Sequence, residues 1–338
     1  MTPPQGPPLR HPAQAPPPDD VTALHSQASQ RLYACPTLPL PGDGDTVVRW
    51  RALSDLGAHD VCLAKLLEAH HDAHAILLEL GAPAPVPGER WAVWAAEPPG
   101  ATLVYTADEG GDGDSGTLSG TKAWCSGADF ASHALVTTRD GDGRGLARVA
   151  LSADGIAAAS DHWQAVGMAR VASGTLHFDH APAVRVGAPG AYLSRPGFWH
   201  GGAGIAACWH GAACAIAETL RMHPRAGTAP HIAAHLGMVD CHLSAAAALL
   251  REVAALVDAD PARPHVEAVL RLRSFIERVA METIDRVGRA LGAGPLCGDR
   301  AHALRCADLA TFVRQSHAES DWEAVGRAVH TGTTTWRP

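Results

Sequence analysis

The 338-residue chain is informative first through what it does not contain. It has no run of Lys or Arg, and its formal net charge is −8. Neutralising phosphates needs a basic patch, so no nucleic-acid partner is expected. The longest apolar stretches, such as Ala245 to Leu250, are too short to cross a bilayer, and no membrane span is expected. The N-terminus lacks a charged segment followed by an apolar core, so no secretion signal is read there. Eight cysteines are scattered without a CxxC pair. A chain of this size does not need disulfide staples, and reduced thiols in a cytoplasmic protein are the expectation. No GxSxG elbow supports a serine hydrolase, and no GxGxxG stands where a strand would meet a helix. The acidic loop at 108–114 is no calcium loop, because the twelfth position is Ser119 rather than Glu. His70 and His74 stand four apart without HExxH or a third ligand, so no metal is expected. There is no repeat of fixed period.

What is present can bury a core. Hydrophobic residues are 46% of the chain and charged residues only 18%, with abundant Ala and Gly suited to close helix packing. Residues 1–20 are Pro-rich and read as a flexible tail. Apolar residues from Leu53 to Leu80 keep helical spacing until Gly81 and Pro83 stop it. From Trp91 the pattern changes to short strand-like pieces, WAVWAA, ATLVYT, HALVTT, GLARVAL and GTLHFD, separated by Gly/Asp turns. After Gly201 four helical segments follow: 201–220, 230–257, 264–291 and 301–325. The expected division is a tail and arm (1–45), a short helical domain (46–90), a middle β domain (91–195), a helical bundle (196–330) and a tail (331–338).

The stretch GTKAWCSGA at 120–128 is followed by ALVTT at 134–138, WQAVGM at 163–168 and SGTLHFD at 173–179. Together these resemble the middle domain of the acyl-CoA dehydrogenase superfamily. The resemblance covers about residues 50–330 and implies an α+β fold of N-terminal helices, a middle β domain and a C-terminal four-helix bundle. This chain resembles a shortened, atypical member. The resemblance implies an FAD cofactor, with Trp124 and Ser126 beside the flavin ring. A hydrogen-bond donor there stabilises the ring edge that gains negative charge on reduction. Gly127 and Ala128 would let the backbone come close, while Cys125 faces the other side of the strand by alternation. The family's T-E-P-x-x-G-S-D loop corresponds to VWAAEPPG at 93–100, where Glu97-Pro98 remains, Ala96 replaces the Thr, and Gly-Ser-Asp is gone. The backbone of Trp94 to Ala96 would still meet the flavin. For the flavin's phosphates the resemblance points to Arg221 or Arg225, and for its adenosine end to Arg289.

The family's catalytic Glu, in a Y-E-G-T segment, is missing. Arg314 falls about where it would be, and His317 and Glu319 are the nearest titratable replacements. On this reading the enzyme oxidises a CH–CH bond beside a thioester, with an electron-transfer partner or oxygen as acceptor. A second reading within the same fold is a flavin-dependent monooxygenase, which lacks the Glu and uses a His from the early helix, here His70, and another near the C-terminus, here His317. Imidazole can donate at one nitrogen and accept at the other. In a chain with 20 histidines such a pair also arises without a function. A third reading is a binding paralogue without turnover. The Ala/Gly-rich helices, together with the resemblance, lead to the expectation of a homodimer or homotetramer.

Overall fold

The computed structural model describes residues 20–109, 114–141, 143–159, 163–332 and 336. The Pro-rich tail at 1–19, positions 110–113 of the acidic loop and most of the 331–338 tail lie outside the described residues. The arm before residue 46 holds a helix, α1 (Val21–Ala34), started by Asp20, whose carboxylate accepts from the Ala23 N–H. The helical period read over Leu53 to Leu80 is two helices, α2 (Thr46–His59) and α3 (Val61–Glu79). They meet at Asp60, whose extended backbone interrupts the first. Its carboxylate caps the second, accepting from the N–H groups of Cys62 at 2.8 Å and Leu63 at 3.0 Å. Every residue of α3 from Val61 to His71 is buried, so this helix is surrounded by protein.

Among the described residues seven strands follow: β1 (Trp91–Trp94), β2 (Leu103–Ala107), β3 (Ser115–Ser126), β4 (His133–Asp140), β5 (Gly143–Ala150), β6 (Ile156–Ala158) and β7 (Ser173–Arg185). Their order is β1-β4-β2-β3-β7-β5, with β6 on β7, and β4 also pairs with β5. That last pairing curls the sheet into a small closed barrel filled by Leu118, Cys125, Val136, Ala147 and Phe178, among others. A bulge in β3 between Lys122 and Cys125 puts one extra residue opposite β7.

The helical part continues with α4 (Ala191–Ser194), α5 (Gly197–Arg221), α6 (Pro230–Ala259), α7 (Val266–Leu291), α8 (Gly294–Gly298), α9 (Arg300–Phe312) and α10 (Glu319–Thr331). The fourth segment expected at 301–325 is therefore broken, by a 3-10 turn at Val313–Gln315 and by Ala318 at φ 49°. Small residues let α2 and α5 touch backbone to backbone. A Cβ on Gly211 would sit 1.8 Å from the Ser54 carbonyl oxygen, and one on Gly57 would sit 2.1 Å from that of Cys208. By length and composition α6 could cross a bilayer. It buries only seven of its 30 residues here, and its Asp258 accepts from the Thr46 N–H and hydroxyl. All eight cysteines are free thiols.

One buried ion cluster joins the three parts. Arg170, in the loop before β7, donates to Asp60 at 2.6 and 3.2 Å and to Asp308 of α9 at 3.1 Å. The other Asp308 oxygen accepts from the Met168 N–H at 2.6 Å.

Candidate active site

Where the barrel meets α3, α4, α5 and α9, the chain encloses a cavity of about 1070 Å³. The barrel supplies Trp94 to Glu97, Trp124, Ser126, Thr137 and Ser173, with Trp163 and Met168 from the loop before β7. The helical wall supplies Lys65, Glu68, Ala69 and Asp72 from α3, Tyr192, Phe198 and Ile205 from α4 and α5, and Ala310 to Phe312. Arg144, Arg314 and His317 also border it.

The β3 bulge explains the barrel side. Because one extra residue is inserted, Lys122 and Cys125 both turn inward, three positions apart, and are buried. Trp124 between them adopts φ 59°, a left-handed backbone that a bulky residue rarely takes, and 53% of its surface stays exposed. Its indole meets Trp163 edge to face at 6.1 Å. The Ser126 hydroxyl is 2.7 Å from that of Ser173, and the Ser126 carbonyl accepts from Trp94 Nε1 at 3.1 Å. The buried Lys122 ammonium donates to the Thr137 carbonyl at 3.0 Å and hydroxyl at 2.7 Å, and burial lowers its pKa to about 8. The close approach at Gly127, with φ 69°, is to Leu66 of α3, which a Cβ would meet at 2.5 Å. Glu97 is ion-paired to Arg139 and Arg144 at 3.4 and 3.3 Å.

The helical side carries charge into an apolar wall. Lys65 donates to Glu68 Oε2 at 3.1 Å, and both side chains are buried. Burial pushes the Glu68 carboxyl above its ordinary range, with Lys65 partly opposing and Asp72 adding to the shift.

Of the residues picked out from the sequence, Trp94, Ala96, Trp124, Ser126 and His317 line this cavity. His317 is at its edge, with 78% of its side chain exposed and Nδ1 3.3 Å from Asp321. The other selected residues are not among those lining the cavity. His70 lies against β1, where its Nδ1 accepts from the Trp91 N–H at 3.3 Å, and burial lowers its pKa to about 4. Glu319 is the exposed first residue of α10. Arg221 is paired with Glu218, Arg289 with Asp285, and Arg225 is exposed beyond α5. Sequence reading missed Lys65, Glu68, Asp72, Trp163, Tyr192 and Phe198. A signal for the first three was present: charged residues three and four apart inside an otherwise apolar helix.

No family model matches the sequence, and no curated protein matches it. Solved structures do. TdsC, the dibenzothiophene monooxygenase of Paenibacillus sp. A11-2, is 20% identical, with a TM-score of 0.70 over 91% of this chain and 95% of that one. TdsC has also been solved with FMN and indole. Glutaryl-CoA dehydrogenase of Mycobacterium smegmatis is 19% identical, with a TM-score of 0.77 over 93% of this chain and 88% of that one. It has also been solved with FADH2. Both likenesses cover the barrel and the helices together, and by them the chain has the acyl-CoA dehydrogenase fold.

Proposed function

We propose that the chain is a flavin-dependent oxidoreductase acting on a small, largely apolar molecule in the cavity. One observation carries the reading. The barrel mouth holds Trp124 at a strained φ of 59° beside Trp163, above the hydroxyl pair of Ser126 and Ser173. Strain of this kind is kept where a site needs it. The wall fits a flavin ring: aromatic faces for stacking, hydroxyls and strand-end backbone for the polar edge, and room for a second molecule. Trp94 to Ala96, Trp124, Ser126 and Ser173 would hold the ring. A bound flavin would accept the electrons of the oxidation.

The chain's own residues then have separable tasks. Trp94 fixes the Ser126 carbonyl through Nε1, which leaves the serine hydroxyl to Ser173 and the cavity. The aromatic and aliphatic wall of buried Phe312 and the partly buried Phe198 and Ile205 limits the access of water to the reacting atoms. Arg144, which borders the cavity and is half exposed beside Glu97, is a cation that a phosphate at the rim could meet. Arg221, Arg225 and Arg289 do not line their own chain's cavity, so a phosphate role for them requires a second copy of the chain. The exposed Ala234, Met238, Cys241 and Ala245 of α6 offer a close-packing face for it. The domain limits at 46, 91 and 196 and a cytoplasmic location complete the proposal.

The dehydrogenase and monooxygenase readings differ in their electron donor. Absorption spectra of the purified protein, titrated with FMN and with FAD, test the flavin. An oxidised flavin spectrum that bleaches on anaerobic addition of mixed acyl-CoA thioesters supports the dehydrogenase. A spectrum indifferent to thioesters, with oxygen-dependent product formation from externally reduced flavin, supports the monooxygenase. Protein that takes up neither flavin is a binding paralogue, and the proposal fails.

A further inference from the structure

The titratable residues that line the cavity are Lys65, Glu68, Asp72, Glu97, Arg144, Tyr192, Arg314 and His317. Glu97 is taken up by two arginines, and Arg314 is paired with Glu277. His317 stands at the edge in solvent, attached to Asp321. Guanidinium groups do not give up protons in proteins, and burial raises the Tyr192 phenol above its ordinary value. Asp72 is half-buried. Glu68 is buried on all sides yet borders the cavity, and Lys65 holds only its Oε2. Among the described residues no hydrogen bond engages Oε1.

We propose that Glu68 is the catalytic residue that accepts a proton from the molecule in the cavity, with Lys65 as its positioning residue. The inference rests on the cavity being the substrate site. It replaces the missing C-terminal Glu with a carboxylate from the opposite, N-terminal side of the chain. In the step, a C–H, N–H or O–H bond of the substrate breaks heterolytically. Its electron pair stays on the substrate, and the proton forms an O–H bond at Oε1. Glu68 becomes a neutral carboxyl, and the substrate carries the negative charge. Lys65 remains on Oε2, so the carboxyl cannot rotate away from the cavity. The proton afterwards returns to water at the mouth, where Arg144 and His317 are exposed.

Glu68 faces titratable groups from several elements: Lys65 and Asp72 on α3, Arg49 on α2, Tyr192 on α4, Cys208 on α5 and Arg273 on α7; of these Lys65, Asp72 and Arg49 bear on its protonation. Burial of the carboxylate is the largest influence and raises its pKa, and Lys65 is the largest opposing one. Removing Lys65 should therefore shift protonation of Glu68 to higher pH still.

The test is infrared difference spectroscopy of the whole protein during a pH titration, for wild type, Glu68→Gln and Lys65→Met. A protonated-carboxyl band that disappears in E68Q and titrates at higher pH in K65M is the expected result. Spectra that superimpose for wild type and E68Q overturn the proposal, as does a band that K65M leaves in place. Turnover by flavin bleaching provides the second readout. E68Q should lose about 10² to 10⁴ in kcat with little change in KM, as general bases do. In K65M the acid limb of the pH profile should move upward with the band. Wild-type kcat in E68Q, or an unmoved acid limb in K65M, overturns the assignment. If E68Q does not fold, Glu68→Asp takes its place, with the same band at a shifted midpoint and a reduced kcat expected. Protein that refuses flavin defeats the flavin reading alone, because the infrared titration is read without it.

Discussion

Trp124 and His70 are both unusual single residues, for opposite reasons. Trp124 holds a left-handed backbone at a cost of about 1–3 kcal/mol, and half its surface faces solvent, so little burial offsets that cost. Trp124→Gly should therefore melt no lower than the wild type while binding flavin at least tenfold more weakly. Thermal melts of the apo chain and a flavin titration check the two halves separately. His70 has its acceptor nitrogen on a backbone N–H and a pKa lowered to about 4 from 6.5. As pH falls from 6.5 toward 4, the unfolded chain takes up a proton that the folded chain refuses. Stability is thus intact above 6.5 and is lost through that window. His70→Asn, whose amide oxygen can replace Nδ1 as acceptor, should lose on the order of 3 kcal/mol less across it. Urea unfolding at stepped pH would show this. An unchanged acid slope would place the sensitivity elsewhere, with the also-depressed His71 the first alternative.

At the scale of elements, the α2–α5 contact depends on the absence of side chains. Gly211→Ala would push a methyl group into the Ser54 carbonyl and should cost about 1–3 kcal/mol or more. Gly237→Ala, on α6 with nothing within 4 Å of the new methyl, should gain about 0.5–1 kcal/mol. Denaturant midpoints of the two variants should lie on opposite sides of the wild type. The sequence showed the elements more clearly than their joints. Apolar spacing located the helices and strand pieces, because periodicity records which face is buried. It could not show Asp60 ending one helix while starting the next, since α3 is buried almost all round, charged residues included, and so has no clear apolar face whose phase could break. Nor could it show the β3 bulge. Strict alternation put Cys125 opposite Trp124 correctly, but it hid Lys122 on the same inward face as Cys125. The site was half legible. Trp94, Ala96, Trp124 and Ser126, which lie in local motifs at strand ends, were picked out and do line the cavity, as does His317 at its edge. Lys65, Glu68 and Asp72 were overlooked because what they face is decided by tertiary packing, and the nearby histidines gave the louder chemical signal.

The molecule as a whole is joined at the Asp60–Arg170–Asp308 cluster, which links the start of α3, the loop before β7 and α9. Asp308→Ala would take a carboxylate from the buried guanidinium and free the Met168 N–H, and should cost about 3–5 kcal/mol. Urea unfolding followed by tryptophan emission would measure it. A loss under about 1 kcal/mol would mean that water takes over the aspartate's bonds. The cavity has the same long reach along the chain. Its wall draws on residues near 65, 94, 124, 163, 192 and 205, and on 310–317, about a hundred residues further along the chain. During synthesis the ribosome therefore releases the barrel and α3 long before the final wall exists. The nascent chain must hold an open, tryptophan-lined cleft in water until residues 310–317 emerge, and the interval in which it most needs a chaperone runs from the release of the barrel to the release of that segment.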